Sequence, residues 1–241
     1  MLLEVRSVTK KFGGLIAISN FSFVLEKGIM TSLIGPNGAG KTTLFNIING
    51  IYPPTSGSII FDGKDITGLK PNKIARSGIG RTFQTPRLFN EFTTLKNVIS
   101  AAIYGGGIRD IREAKKRGIE LLDFVGLEKK KDVLAKNLLA TEKKYLELAR
   151  ALAIRPKLLL LDELFAGLGE SDTSNAINLL FKIKNDMGIT IFMIEHNIKA
   201  VMKISEKVIV IHHGEKIAEG VPKDVAQNPE VIKAYLGEEY A

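Results

Sequence analysis

The chain has no cysteine among its 241 residues. Disulfide bonds and thiolate metal sites are therefore excluded, and a reducing compartment fits this composition. No stretch approaches the length of about 18 apolar residues that a membrane-spanning helix needs. The N-terminal residues Met1–Arg6 lack the long apolar stretch of a signal peptide. Together these absences predict a cytosolic protein.

The balance of charge is basic, with a formal net charge of +8. Such a charge suits an anionic partner, and nucleic acid and an anionic membrane face are both candidates. The densest basic clusters, Lys115–Arg117 and Lys129–Lys131, lie near the acidic residues Glu113, Glu120 and Asp132. We interpret each cluster as a solvated helical face rather than as a binding site.

One motif organises the sequence. Residues 35–42 read Gly-Pro-Asn-Gly-Ala-Gly-Lys-Thr and match the pattern G-x-x-x-x-G-K-[ST]. An apolar run of strand length precedes the motif, and apolar residues at helical spacing follow it over 43–48. A glycine turn before a lysine is the alternative, but the strand and the helix stand where phosphate binding requires them. The residues expected to bind nucleotide are Gly35, Asn37, Gly38, Ala39, Gly40, Lys41, Thr42 and Thr43.

Two side chains of this motif have expected roles of their own. Lys41 is expected to be exposed and to reach the β and γ phosphates, and the Thr42 hydroxyl is expected to hold Mg²⁺. The motif indicates a nucleotide site but not the use to which the nucleotide is put.

Around the motif, the patterns predict an α/β fold. Alternating apolar residues over 3–8 and 21–25 and a strand over 58–61 predict a small antiparallel sheet. A short helix is expected over 71–77, and a strand runs from Ile79 to a polar end at Gln84, before a proline-containing loop. The later elements are a helical stretch without strand signals over 93–154, buried strands over 158–161 and 189–194, a helix over 172–186, a hairpin of 207–211 with 215–219, and a C-terminal helical segment over 222–236.

We therefore predict a P-loop NTPase core with a parallel sheet, an N-terminal antiparallel β subdomain and an inserted helical subdomain. The boundaries follow from the composition of the connecting segments. They are 1–27 and 57–67 for the β subdomain, 28–56, 68–90 and 155–220 for the nucleotide-binding core, 91–154 for the helical subdomain, and 221–241 for a C-terminal segment.

Polar residues follow several of the apolar strands. They are the phosphate loop, Gln84, the pair Asp162–Glu163 and His196. Because the carboxyl ends of parallel strands meet at one edge of a sheet, we expect these elements to converge on one crevice.

In this order and spacing the chain resembles the ATPase subunit of an ATP-binding cassette (ABC) transporter over essentially its whole length. Within that family, the segments Arg81–Thr85 and Val231–Glu238 resemble the branched-chain amino acid importers. The resemblance implies ATP and Mg²⁺ as cofactors and a motor subunit that couples ATP hydrolysis to the import of branched-chain amino acids or a related small solute. It also implies an integral membrane permease and a second ABC ATPase subunit as partners, at the cytoplasmic face of the cell membrane.

The resemblance also implies roles for single residues. Asp162 is similar to the Walker B aspartate that holds Mg²⁺, and Glu163 is similar to the general base that polarises the attacking water. Gln84 resembles the glutamine that contacts Mg²⁺ and water, and His196 resembles the histidine that senses the γ-phosphate. Phe12 resembles the aromatic residue that stacks on adenine. The alternatives are that the acidic pair only caps the following helix and that Gln84, His196 and Phe12 have ordinary structural roles.

The chain departs from the family pattern in the signature segment, Leu138–Glu142. The family has Leu-Ser-Gly-Gly-Gln or a close variant there, whereas this chain has Leu139 at the serine position and Thr141 at a glycine position. A second departure is Leu164 in place of the proline after the Walker B glutamate, followed by a loop, Gly167–Asp172, without a close match to the family. A weakened signature favours pairing with a different cassette, as a heterodimer.

Two rival functions remain open from the sequence. A soluble, non-transport ABC ATPase acting on nucleic acid or ribosomes would suit the basic charge. Such proteins usually carry two cassettes or long coiled-coil inserts, and the chain has neither, so we expect no nucleic acid partner. A regulatory nucleotide-binding subunit without turnover would suit the altered signature.

Overall fold

The computed structural model describes residues 1–236. The strands are β1 (Leu3–Phe12), β2 (Leu15–Leu25), β3 (Met30–Ile34), β4 (Ser56–Phe61), β5 (Lys64–Asp65), β6 (Ile79–Arg81), β7 (Leu158–Asp162), β8 (Thr190–Ile194), β9 (Lys207–His212) and β10 (Glu215–Gly220). The helices are α1 (Lys41–Ile48), α2 (Pro71–Ser77), α3 (Thr94–Tyr104), α4 (Ile111–Phe124), α5 (Ala140–Ala153), α6 (Glu170–Met187), α7 (Ile198–Ile204), α8 (Pro222–Ala226) and α9 (Pro229–Leu236). Short 3₁₀ turns lie at Glu128–Lys130 and Ala135–Asn137.

The chain divides into two compact units. One consists of Met1–Pro71 together with the chain from Phe165 onwards, and the other consists of Asn72–Leu164. The subdomain boundaries given above are drawn differently and stay a prediction.

The first unit contains an antiparallel sheet in the order β2-β1-β4-β5. Leu3 pairs with Leu25 of β2 and with Phe61 of β4. Leu3 and Val5 of β1 are buried, because alternate side chains of a strand point to the same face, and Val8 is buried as well because the register shifts between Val5 and Val8. The predicted antiparallel sheet is confirmed.

The first unit also contains the strand that leads to the phosphate loop. β3 pairs in parallel with β8 on one side and with β9 on the other. Every residue of β3 and of β8 is buried, which explains why both sequences are mainly apolar and carry no charged residue. β9 and β10 form the predicted hairpin, and its turn uses left-handed conformations at His213 and Gly214. His212, which the sequence places in the turn, is the last residue of β9.

The second unit combines two parallel strands with helices. β6 pairs with β7, and α3, α4 and α5 pack around buried leucines, which include Leu121, Leu122, Leu146 and Leu152. The buried side chain of Asn97 accepts a hydrogen bond from the Phe89 amide at 2.9 Å and donates one to the Phe89 carbonyl at 3.0 Å. The segment before α3 is thereby held on that helix.

Some elements differ from their predictions. The strand that begins at Ile79 ends at Arg81 and does not reach Gln84. The C-terminal segment is two helices, α8 and α9, rather than one, and α7 was not predicted. Gly237 and Glu238, which belong to the predicted C-terminal motif, lie outside the described residues. Within residues 1–236, no helix combines the length and the apolar character needed to cross a bilayer.

Candidate functional site

The phosphate loop, residues 35–40, connects β3 to α1. Two of its glycines are fixed by close packing. A Cβ on Gly35 would lie 2.1 Å from the carbonyl oxygen of Ile211, and a Cβ on Gly40 would lie 2.7 Å from the carbonyl oxygen of Ala17. Gly40 also has a φ of +108°, a conformation that other residues rarely adopt. A side chain at either position would displace the loop from β9 or β2, so the structure requires glycine at both.

The N-terminus of α1 suits an anion. Among the described residues, no side chain caps this helix end, and its first turn carries no acidic residue. The backbone N–H groups of a first turn have no partner within the helix, and the helix dipole adds positive potential there. Asn37, Gly38 and Thr42 are exposed around it. This helix end therefore has the properties of a phosphate-binding site.

Lys41 is buried, with 6% of its surface exposed, which corrects the prediction of an exposed lysine. Its ammonium group donates hydrogen bonds to the carbonyl oxygens of Gly35, at 2.7 Å, and Pro36, at 2.8 Å. The loop curls over the lysine, and its carbonyl groups compensate for the buried charge. Lys41 therefore contributes to the shape of the loop as well as to its charge.

The C-terminal helices support the same loop. Val231 of α9 is buried in one apolar cluster with Ile34, the last residue before the loop. Ile34 and Tyr235 both line an apolar cavity of about 270 Å³. Burial raises the pKa of the Tyr235 phenol, while the backbone N–H of Gly35 acts in the opposite direction. The first residues of the loop thus rest on the last described helix.

Phe12 ends β1 and is 42% exposed. Its ring meets that of Tyr52 edge to face, with the centroids 5.2 Å apart, and the Lys10 ammonium lies 5.0 Å from the Phe12 centroid. Lys10 is itself held by a hydrogen bond to the Pro53 carbonyl at 2.7 Å. Phe12 is therefore an exposed aromatic ring whose position is fixed by these contacts.

His196 follows β8 and is exposed. The residue before it, Glu195, is buried and accepts a hydrogen bond from the Phe165 amide at 3.0 Å. After it, the Asn197 side chain caps α7 by accepting from the Ala200 amide at 3.1 Å. His196 is thus placed between two fixed residues. The sequence analysis assigned no role to Glu195, and its anchoring contact was not predicted.

In the second unit, Asp162 is the last residue of β7 and is buried. Its carboxylate accepts a hydrogen bond from the Arg81 guanidinium at 3.1 Å, and both side chains are only 3% exposed. Burial lowers the pKa of Arg81, and the neighbouring carboxylate of Asp162 raises it. This buried ion pair was missed in the sequence, although a charged residue at the end of an apolar strand was its signal.

Glu163 is half-buried and has a φ of +52°, which is uncommon for a residue other than glycine. Its carboxylate accepts a hydrogen bond from the Gln84 amide group at 2.7 Å. Its backbone carbonyl accepts one from Lys144 at 3.1 Å. Such conformations persist where surrounding contacts fix them, and they concentrate at functional sites.

The acidic pair does not cap a helix. The next helix, α6, begins at Glu170 with Gly169 as its N-cap residue, well beyond Glu163 in the chain. The capping alternative is therefore wrong. Gln84 and Glu163 are brought together within the second unit, whereas the predicted convergence of all four polar elements stays a prediction.

The signature segment forms the start of α5. Leu139 is the N-cap residue and is 67% exposed. The Glu142 carboxylate accepts a hydrogen bond from the Leu139 amide at 2.9 Å and pairs with Lys130 at 2.5 Å. Burial raises the pKa of Glu142, but the Lys130 ammonium and the Leu139 amide together lower it below its usual value. A glutamate three residues after the N-cap thus accepts from the N-cap amide, which is the glutamate half of a capping box, and Leu139 has no hydroxyl for the other half.

The comparisons with known proteins agree with this geometry. A sequence profile described as "ABC transporter" matches residues 18–166, and one described as "Branched-chain amino acid ATP-binding cassette transporter" matches residues 215–241. The high-affinity branched-chain amino acid transport ATP-binding protein BraF of Pseudomonas aeruginosa is 40% identical over 98% of both chains.

Solved structures show the same fold. The ATP-binding cassette MJ1267, in its ADP conformation, superposes with a TM-score of 0.89 at 33% identity, covering 98% of this chain and 99% of its own. The cassette MJ0796, a dimer bound to ADP and Pi, superposes with a TM-score of 0.83 at 27% identity, covering 92% of this chain and 99% of its own.

The chain therefore belongs to the ABC transporter family. Within that family it is an ATP-hydrolysing subunit, similar to the ATP-binding proteins of branched-chain amino acid transport. The predicted fold and the predicted ATPase function are confirmed, and the nucleic-acid alternative is not supported. The roles of the single site residues stay predictions.

We expect Arg81→Met to lower the free energy of unfolding by about 3–5 kcal/mol, because it removes a buried guanidinium that is hydrogen-bonded to the buried carboxylate of Asp162. The matched control is Arg155→Met. Arg155 also lies 3.1 Å from a carboxylate, that of Glu113, but both side chains are more than half exposed. An exposed pair contributes at most about 1 kcal/mol. Urea unfolding of both variants measures the difference, and equal losses would contradict this account.

Proposed function

We propose that the chain is the ATP-hydrolysing subunit of an importer for branched-chain amino acids, acting on a separate integral membrane permease at the cytoplasmic face of the membrane. The observation that carries the proposal is the 40% identity, over 98% of both chains, to a branched-chain amino acid transport ATP-binding protein. The profile match at residues 215–241 supports the same solute class.

Nucleotide binding is assigned to the first unit. The backbone N–H groups of residues 35–43 bind the phosphates, and Lys41 contributes its charge to the β and γ phosphates. Phe12 stacks on the adenine ring. The uncapped N-terminus of α1 and the exposed, fixed ring of Phe12 support these roles.

The residues assigned to Mg²⁺ are Thr42, Gln84 and Asp162, and all three offer the oxygen atoms that this ion prefers. Within residues 1–236, no group of three or more His, Asp or Glu could hold a metal. Mg²⁺ takes one or two carboxylates and completes its shell with water and substrate phosphates. When bound, Mg²⁺ neutralises charge on the phosphates.

ATP hydrolysis is assigned to Glu163, and Gln84 and His196 are assigned supporting roles in the same reaction. Glu163 orients and polarises the attacking water, Gln84 contacts the same water, and His196 senses the γ-phosphate. The left-handed backbone of Glu163 and its 2.7 Å hydrogen bond to Gln84 support this assignment, because they fix the direction of the carboxylate.

The contact with the permease is assigned to the segment that begins at Gln84. Phe89 and Phe92 expose 49% and 42% of their surfaces and lie side by side, with ring centroids 5.2 Å apart. An exposed aromatic pair suits a protein interface. The permease, rather than the lipid itself, is therefore the proposed membrane attachment.

For the second subunit, the altered signature favours a different cassette over a second copy of this chain. The dimer of MJ0796 supports dimerisation in general. Leu139 exposes an apolar side chain where a serine would offer a hydroxyl, and Thr141 adds a side chain where glycine would leave the backbone open. A homodimer would carry this altered signature segment in both of its subunits.

The transport function predicts ATP-dependent uptake of leucine, isoleucine and valine when this chain, its permease and its partner cassette are reconstituted. Lys41→Ala should abolish both MgATP binding and uptake. Because Lys41 is buried, the melting temperature of the Lys41→Ala variant must be measured as well, to show that the variant is folded. Lys64→Ala, which removes an exposed lysine of the same unit, is the control and should leave uptake unchanged. Uptake of an unrelated class of solute alone would overturn the assignment.

Glu163→Gln keeps the shape of the side chain and removes its basicity. A general base contributes typically about 10²- to 10⁴-fold, so ATP hydrolysis should fall by that order while the ATP affinity in calorimetry stays within a few-fold of wild type. Glu170→Gln, an exposed glutamate in the first turn of α6, is the matched control. Hydrolysis by Glu163→Gln close to the wild-type rate would show that another group is the base.

The heterodimer predicts weak hydrolysis by this chain alone and a rise on addition of a second cassette with an intact signature. Hydrolysis is measured across protein concentration, alone and with the partner. Restoring the pattern by Leu139→Ser with Thr141→Gly should raise the activity of the chain alone. Vigorous turnover by the unmodified homodimer would refute this prediction, since Leu139 and Thr141 would then suffice.

A further inference from the structure

Glu147 is a buried acidic residue of α5 to which the proposed mechanism gives no role. Only 4% of its surface is exposed, and it lies between the buried apolar residues Leu146 and Leu148. Burial raises the pKa of its carboxyl group, and the amides of Arg87 and Phe83 lower it in part. A buried carboxylate is costly unless it is hydrogen-bonded, so its contacts require an explanation.

The two oxygens of Glu147 hold both ends of one short loop. One oxygen accepts a hydrogen bond from the Phe83 amide at 2.8 Å, and the other accepts one from the Arg87 amide at 2.7 Å. Gln84 lies between these two anchors in the chain. A single side chain of α5 therefore fixes the loop that carries Gln84.

Neighbouring cations hold the same loop. Arg150, one turn further along α5, donates a hydrogen bond to the Arg87 carbonyl, so α5 binds both polar groups of the Arg87 backbone. The guanidinium groups of Arg81 and Arg87 lie 4.7 and 4.3 Å from the centroid of the Phe83 ring. The anchors of Gln84 are thus fixed by ring contacts as well as by hydrogen bonds.

The loop in turn determines the position of a predicted catalytic contact, the 2.7 Å hydrogen bond from Gln84 to Glu163. We propose that Glu147 is a positioning residue for ATP hydrolysis: it holds the 83–87 loop on α5 and thereby sets Gln84 against Glu163. Because α5 begins with the signature segment, Glu147 also links the Gln84 loop to that segment through one rigid helix. The inference rests on the proposed function of Gln84 and Glu163.

The test is Glu147→Gln. A glutamine has one acceptor oxygen and an NH₂ group that cannot accept from a backbone amide, so one of the two anchors is lost. A small displacement of a positioned group can cost up to about 10²-fold in rate, and we expect kcat for ATP hydrolysis to fall about 10-fold. The ATP affinity should stay unchanged, since residues 35–43 are untouched. Glu113→Gln, an exposed glutamate of the same unit, is the control and should alter neither quantity.

A double-mutant cycle with Gln84→Ala separates positioning from general destabilisation. If Glu147 acts through Gln84, Glu147→Gln should lower kcat in the wild-type background and have little further effect in the Gln84→Ala background. Additive losses, or an unchanged kcat in Glu147→Gln, would overturn the proposal. Should Glu147→Gln fail to fold, Glu147→Asp keeps the charge but shortens the reach, and the same cycle applies. If the wild-type protein shows no hydrolysis with its partner cassette, the proposed function fails instead.

Discussion

Phosphate binding requires a backbone whose N–H groups stay available, and this constraint shapes the first unit. The loop after β3 can offer its amides because glycines at 35 and 40 press directly against the carbonyl oxygens of neighbouring strands. Lys41 would be costly inside such a loop if the Gly35 and Pro36 carbonyls did not accept its hydrogen bonds. The buried strand β3 before the loop and the helix α1 after it serve the same purpose. Both hold the loop in place, and neither uses the loop's N–H groups as hydrogen-bond donors.

The second unit solves a different problem, which is how to hold charged groups in place within a helical core. Asp162 is fixed by Arg81, and Glu147 is fixed by two backbone amides. Charges buried in this way cost solvation energy, so they contribute little net stability and much positional definition. The left-handed conformation of Glu163 is maintained within this set of contacts, by Lys144 on its carbonyl and by Gln84 on its carboxylate.

The sequence predicted the elements whose cause is local. The buried strand Leu158–Asp162, the helix at 71–77 and the phosphate loop follow from patterns within a few residues. It did not predict features whose cause lies far along the chain. The burial of Lys41 depends on the path of the loop around it, and the anchoring of the loop after β6 depends on Glu147, more than sixty residues later in the sequence. Single polar residues in an apolar helix or strand, such as Glu147 and Arg81, were the available signals.

The packing of α9 has a consequence for how such cassettes diversify. Val231 shares an apolar cluster with Ile34, and Tyr235 faces the first amide of the phosphate loop. The nucleotide motif is therefore supported from behind by α9, a segment far from it in the sequence. Exchanging that segment between relatives would change the stiffness of the loop without altering any residue of the motif. Two cassettes with the same phosphate loop can in this way differ in their affinity for nucleotide.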